Sequence, residues 1–196
     1  MNTVWIVLGI IGILLLTAVY LYNRIISNYN AVVRSWADLI AQERQKNKVL
    51  PRLEEITKEY REYEKSLQTN ITQLREAINL TSTQVMNNES LSDIEIKTHS
   101  LLKGIKVALE NYPDLKASEV MCSLMHEISN QQANIAAAIS IFNRNVEIFN
   151  NDIQTFPANI INDYLNHQQS IIPFTDKQAA SGFEYNPSLT DKNKQC

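Results

Sequence analysis

The chain has 196 residues, with 18 Lys or Arg against 21 Asp or Glu and a formal net charge of −3, so the basic face of a nucleic-acid-binding protein is not expected. Only 4 glycines and 5 prolines occur, which favours long helices over a turn-rich β fold. The 2 cysteines, Cys122 and Cys196, do not form the framework of a disulfide-rich secreted protein and fit a reducing compartment.

Residues 4–22 form an uncharged, apolar run after a short N-terminal segment, residues 1–3. As a helix this run would span about 29 Å, close to the hydrocarbon thickness of a bilayer. No Lys or Arg precedes it and it is longer than the core of a cleavable signal peptide, so the sequence predicts a retained transmembrane anchor.

The basic residues near this run predict its orientation. None lies upstream, whereas Arg24, Arg34 and Arg44 follow downstream. The positive-inside rule then predicts a single-pass protein of the cell (inner) membrane, with its C-terminal domain in the cytoplasm and its N-terminus outside.

The apolar pattern continues beyond the membrane run and predicts two helices, residues 23–48 and 51–86. Apolar residues recur every three or four positions in both, as on one face of a helix. Pro51 predicts a turn at residues 49–51, because proline disfavours helix at the residue before it and suits the first turn of the next helix.

Two more helices are predicted, at residues 91–111 and 115–154. Ser90 or Ser92 is the expected cap of the third helix. Pro113 marks the break between the third and fourth helices. The fourth carries the most regular stripe: Met121, Leu124, Ile128, Gln131, Ile135, Ile139, Phe142, Val146, Phe149 and Ile153.

Four amphipathic helices joined by short connections predict an all-α fold, in which the transmembrane helix continues into an elongated antiparallel up-and-down four-helix bundle. The bundle is expected to span residues 23–168, with a short extra helix at 157–168. Residues 169–196 show no period despite Phe174, Phe183 and Tyr185, and are predicted to form a loosely ordered tail.

Short motifs along the chain match those of one protein family. They are Tyr22-Asn23, Ser35-Trp36, Val49-Leu50-Pro51-Arg52-Leu53, the string from Tyr112 to Ala117 (YPDLKA), Phe142-Asn143, Val146, Phe149-Asn150, Ile153 and Phe156-Pro157. On these motifs the chain resembles the LemA family of bacterial membrane-anchored proteins over about residues 5–160. The resemblance implies an elongated helical bundle and no established enzymatic activity.

The chain departs from the family pattern on its last long helix. The family has Thr-Glu-Asn where this chain has Gln131-Gln132-Ala133, and paired arginines where it has Ile139-Ser140. An acidic and a basic position are therefore both neutral here, and losing both partners of a buried pair can leave stability unchanged. The resemblance thus implies a divergent member in which packing replaces a polar core network.

Glu119, Cys122 and His126 share one face of the predicted fourth helix and are the candidate metal ligands. A structural zinc site needs four ligands, and the sequence has no CxxC or HExxH motif; His99 would be a fourth ligand only if packing brought it near. Free cysteine is often a small buried apolar residue. No metal site, cofactor or catalytic residue is therefore predicted.

The sequence favours a non-enzymatic scaffold or protein-interaction module of the bacterial cell envelope, anchored in the membrane. Its protein partners are not identified, nucleic acid is not expected, and a homo-oligomer is possible. Tyr60, Tyr63 and the tail aromatics are either core residues or a docking surface. The alternative is a metal or small-ligand sensor in the bundle core, centred on Cys122 and His126.

Overall fold

The computed structural model describes residues 2–57, 64–112 and 119–175, and every regular element in these ranges is helical. The elements are α1 (Asn2–Thr57), α2 (Glu64–Leu80), α3 (Asn88–Asn111), α4 (Glu119–Gln154), α5 (Ala158–Ile161) and a π-helical turn (Asn162–Asn166). An irregular segment, residues 167–175, follows the turn. The predicted all-α class is confirmed for the described residues.

Helix α1 runs without interruption from the apolar N-terminal run into the packed part of the molecule, through Pro51. The predicted helix end and turn at residues 48–51 are therefore wrong. A proline inside a helix costs about 3 kcal/mol, because it removes a backbone N–H and its ring meets the preceding turn. Val49, Leu50 and Leu53 are at most 3% exposed, and burying such side chains contributes about 1.5–3 kcal/mol each. Their burial outweighs the local cost of the proline.

The second helix is shorter than predicted. The sequence predicts residues 51–86, whereas α2 runs from Glu64 to Leu80 and residues 51–57 belong to α1. Tyr60 and Tyr63 lie outside the described residues, so their predicted choice between core and docking surface stays a prediction.

Helix α2 ends early because α1 binds the backbone that follows it. Trp36 Nε1 donates to the Ser82 carbonyl oxygen at 3.2 Å, and Arg44 Nη2 donates to the Thr81 carbonyl oxygen at 3.0 Å. In a helix that continued to residue 86 these carbonyls would accept backbone N–H groups. The two contacts instead hold the chain against α1 on a non-helical path.

Helix α3 begins at Asn88 instead of residue 91, and its cap is Asn87. The Asn87 side chain accepts a hydrogen bond from the backbone N–H of Ser90 at 3.2 Å. The predicted caps, Ser90 or Ser92, are therefore wrong. Asparagine is as good an N-cap as serine, so residue type alone did not distinguish the candidates.

The C-terminal ends of α3 and α4, at Asn111 and Gln154, agree with the sequence prediction. The predicted start of the fourth helix at residue 115 lies outside the described residues, and α4 is described from Glu119. The predicted short extra helix corresponds to α5 and the π-helical turn.

Helices α1 and α4 pack side by side in opposite directions. Tyr29 lies against Phe149 with ring centroids 5.6 Å apart, and Trp36 lies against Phe142 at 5.4 Å. Between these two contacts the residue number increases by seven along α1 and decreases by seven along α4, so the two helices are antiparallel. This interface forms one part of the core, and a second part lies where α1, α2, α3 and the start of α4 meet.

The first residues of the predicted tail pack against α4. Phe174 is 4% exposed. The Asn143 side-chain amide donates to the Phe174 carbonyl oxygen at 2.7 Å and accepts from its N–H at 2.8 Å, and Asn150 makes the same pair of bonds with Ile171 at 2.7 and 2.9 Å. The predicted tail, residues 169–196, therefore begins with a segment that is hydrogen-bonded to α4, and residues 176–196 lie outside the described residues.

Candidate functional site

A buried ion pair joins two residues on one face of α1, in the C-terminal third of the helix. Glu43 is fully buried, and its Oε2 lies 2.7 Å from Lys46 Nζ. Lys46 Nζ also donates to Thr98 Oγ1 on α3 at 2.9 Å. The Thr98 hydroxyl in turn donates to the Ile94 carbonyl oxygen at 2.8 Å. The pair thus connects α1 to α3 through a polar chain inside the core.

Desolvation of the Glu43 carboxylate is the largest electrostatic effect in the pair. Burial raises the pKa of the Glu43 carboxyl, because the charged form loses its hydration, and the positive charge of Lys46 opposes this shift. Within the described part of the chain, Glu43 Oε1 has no hydrogen-bond partner. The carboxylate is therefore only partly compensated, which makes it a costly group for a fold to retain.

Neither Glu43 nor Lys46 is among the sequence-predicted core or site residues, although the sequence carries a signal for both. They continue the three-and-four spacing of the buried stripe from Leu39 and Ile40 towards Val49. Charged residues are seldom buried, so residue type alone does not place Glu43 and Lys46 in the stripe. Their position in the three-and-four repeat, and not their residue type, is the signal that indicates burial.

A small cavity of about 20 Å³ adjoins the ion pair. Its polar lining residues are Lys46, Thr98, Gln131 and Gln132, and its apolar lining residues are Val49, Leu50, Leu74, Leu101, Leu102 and Ile128. Such a volume holds about one water molecule. A site for a small organic ligand needs roughly 300 Å³ or more, so this cavity does not favour a ligand sensor in the core.

The candidate metal ligands lie on the molecular surface. Glu119, Cys122 and His126 are exposed on α4, and His99 is exposed on α3. In residues 2–57, 64–112 and 119–175, no group of three or more His, Cys, Asp or Glu side chains is arranged to hold a metal ion. The structure therefore does not gather the sequence candidates into a metal centre.

An open groove follows the outer side of the α1–α4 pair. Its lining residues are Ser35, Asp38, Ala41 and Gln42 from α1 and Asn134, Ala137, Ala138 and Ile141 from α4. Four of these eight side chains are Ala or Ser, and such small residues allow the backbone of another helix to approach closely. Ile141 is 58% exposed at one edge, and Asp38 contributes a negative charge. This groove is the candidate docking surface.

The N-terminal half of α1 differs from the rest of the molecule in its exposure. Helix α1 is the one helix in the described residues that is long and apolar enough to cross a membrane, and its apolar window lies near the N-terminus. Its apolar side chains face outward; Leu14 and Leu16, for example, are 64% and 73% exposed. Exposed apolar surface of this extent indicates contact with lipid or with another protein.

Comparisons with known proteins identify one family. The LemA family model matches residues 35–181. A relative described as "Protein LemA", from Metamycoplasma hominis, is 28% identical over 153 residues, which cover 77% of this chain and 68% of the relative. No solved structure matches the chain. The matched region includes the buried ion pair, the groove and the segment bound by Asn143 and Asn150.

Proposed function

The chain belongs to the LemA family, a membrane-associated family, and on this basis we propose that it is a non-enzymatic scaffold or protein-interaction module of the bacterial cell envelope. The observation that carries the proposal is the continuity of α1. One helix of 56 residues, about 84 Å long at 1.5 Å per residue, extends from the apolar run into the packed core. A domain attached in this way projects from its anchor without a flexible linker.

We infer that the anchor is residues 4–22, crossing the cell membrane once, with the N-terminus outside and the helical domain in the cytoplasm. The exposed apolar side chains of this stretch support the crossing. The downstream arginines Arg24, Arg34 and Arg44 support the orientation.

The domain itself is proposed to be an up-and-down bundle of α1 to α4. The antiparallel packing of α1 on α4 supports this arrangement, as do the contacts of α2 with both α1 and α3. A bundle of this kind presents long helix faces to partners while it keeps its own core closed.

The proposed docking surface for a protein partner is the groove between α1 and α4. Its small side chains suit a helix of the partner, and Asp38 favours a basic side chain on that helix. The partner is then a protein with an amphipathic, basic helix, or a second copy of this chain.

Site-specific photo-cross-linking in living cells tests this function. A photoreactive phenylalanine analogue replaces Ile141 in the groove, or Ile96 on α3 as a control with similar exposure at 47%. The proposal predicts a discrete cross-linked species from position 141 that is absent at position 96 and is lost on Ala137→Arg, a substitution at an exposed residue of the groove. Equal cross-linking at both positions, or none at 141, would contradict a docking role for the groove.

A further inference from the structure

Four large apolar side chains are exposed within eleven residues after the end of α4. Phe156 is 79% exposed, Ile160 45%, Tyr164 78% and Leu165 56%. We call these four residues the 156–165 patch. Several large exposed apolar side chains so close together in the chain indicate an interaction surface, whereas single exposed apolar residues are ordinary.

The patch lies beside the point where the apolar run of α1 ends. Asn166 Nδ2 donates to the Tyr22 carbonyl oxygen at 3.5 Å, and both α5 and the π-helical turn contact α1. Leu21 is 7% exposed and Ala158 2% exposed, and both belong to the same part of the core. Tyr20, the residue before Leu21, is 62% exposed. The packed domain therefore begins at the last turn of the apolar run.

We propose that the 156–165 patch is a second membrane contact, whose side chains lie in the interfacial region of the bilayer around the exit of α1. The inference rests on the proposed function, because it requires residues 4–22 to cross the membrane. If Tyr22 lies at the hydrocarbon boundary, the patch beside it falls in an interfacial layer that is about 5–8 Å deep. The lipid-facing surface of the patch is thus continuous with the lipid-facing surface of α1.

The chemistry of the patch suits this layer. Phe156 and Tyr164 are aromatic, and aromatic side chains are enriched at membrane interfaces, where tyrosine keeps its hydroxyl in water. Residues 155–166 contain Asp163 but no Lys or Arg. Attraction to anionic headgroups therefore does not drive the contact, and we expect it with zwitterionic lipid alone.

A second attachment has a mechanical consequence. A single helix leaving a bilayer is free to tilt, within limits set by its flanking residues. With the patch also in the interface, the domain has two contacts on one side of the membrane, and its tilt and rotation are restricted. The groove between α1 and α4 would then face a defined direction along the membrane surface.

The test measures lipid contact at single positions in the full chain. In a Cys122→Ser, Cys196→Ser background, single cysteines are placed at Phe156, Tyr164 and two controls, and labelled with an environment-sensitive fluorophore. Labelled protein is reconstituted into phosphatidylcholine vesicles with and without a lipid-borne nitroxide quencher.

The two controls separate the inference from the proposed anchor. Leu14→Cys reports on the anchor. Leu80→Cys is the matched control, because Leu80 is 84% exposed but lies far from the proposed membrane. The neighbouring residue, Asn79, accepts a hydrogen bond from Asn47, which lies about 37 Å beyond Tyr22 along α1.

The inference predicts several-fold stronger quenching at Phe156 and Tyr164 than at Leu80, unchanged by added anionic lipid or salt. If Leu14 is quenched while Phe156 and Tyr164 behave like Leu80, the anchor stands and the second contact is wrong. If Leu14 is not quenched, the proposed anchor fails and this inference fails with it. A blue shift at Phe156 that depends on protein concentration, without quenching, would show that a second copy covers the patch and would also overturn it.

Discussion

Arg24 and Asp152 form a two-pronged ion pair between the first turn of α1 beyond the apolar run and the last turn of α4. Arg24 Nε lies 3.0 Å from Oδ2 of Asp152, and Nη2 lies 2.6 Å from Oδ1. Asn28 donates a further hydrogen bond to Asp152. This pair fixes the end of α4, and hence α5 and the 156–165 patch, at the level where α1 leaves the apolar run.

Replacing Asp152 by Asn should destabilise the α1–α4 junction. The Arg24 side chain is 38% exposed, so solvent screening keeps the loss to about 1 kcal/mol in the free energy of unfolding. Chemical denaturation measures it, with Glu147→Gln as a control, since Glu147 is an exposed acid on the same helix. Equal stability of the two variants would contradict a structural role for the pair, and the loss should shrink in high salt.

The buried pair of Glu43 and Lys46 should show strong coupling. Lys46→Met leaves the Glu43 charge buried without its partner and should cost about 3–5 kcal/mol. The double variant Glu43→Leu, Lys46→Met removes both charges and should recover most of that loss. A double-mutant cycle by denaturant unfolding measures the coupling. Additive losses would contradict an interaction between the two residues.

The raised pKa of Glu43 predicts a pH dependence of stability. A carboxyl group with a higher pKa in the folded state than in the unfolded state stabilises the fold fully below its ordinary pKa of 4.5, and this contribution is lost as pH rises through the folded pKa. The unfolding free energy of the native chain minus that of Glu43→Gln should therefore increase as pH falls from neutral towards 4.5. A difference that is constant or decreases over this window would contradict the assignment.

Asn150 should control the order of the segment on α4. Asn150→Leu removes two hydrogen bonds to the backbone of Ile171, each contributing about 0.5–1.5 kcal/mol, so local opening should become roughly tenfold or more frequent. Hydrogen exchange at the amides of residues 168–175 measures this opening. Asn151→Leu is the control, because Asn151 is the exposed neighbour. Faster exchange in both variants would point to general destabilisation instead.

The apolar stripes predicted the helices and two of their ends, because burial of one helix face depends on residue type and spacing alone. The sequence-based predictions are wrong or incomplete where tertiary contacts determine the course of a helix or the burial of a side chain. Pro51 stays helical because neighbouring apolar residues are buried, and Glu43 is buried because Lys46 and Thr98 lie beside it. The amide bonds from Asn143 and Asn150 to a distant backbone leave no periodic trace in the sequence.

The most direct test of the central claim is the accessibility of an exposed cysteine on the helical domain. Cys122 is exposed on α4, so a Cys196→Ser chain carries it as the single reporter cysteine. Adding Cys122→Ser and Thr3→Cys to that chain moves the single reporter to the other end of the apolar run. Intact and lysed cells are treated with a membrane-impermeant maleimide, after the protein is shown to resist alkaline extraction from membranes. We predict labelling of Cys122 only after lysis and of the cysteine at position 3 in intact cells. Labelling of Cys122 in intact cells, or release of the protein by alkali, would contradict an anchored cytoplasmic domain.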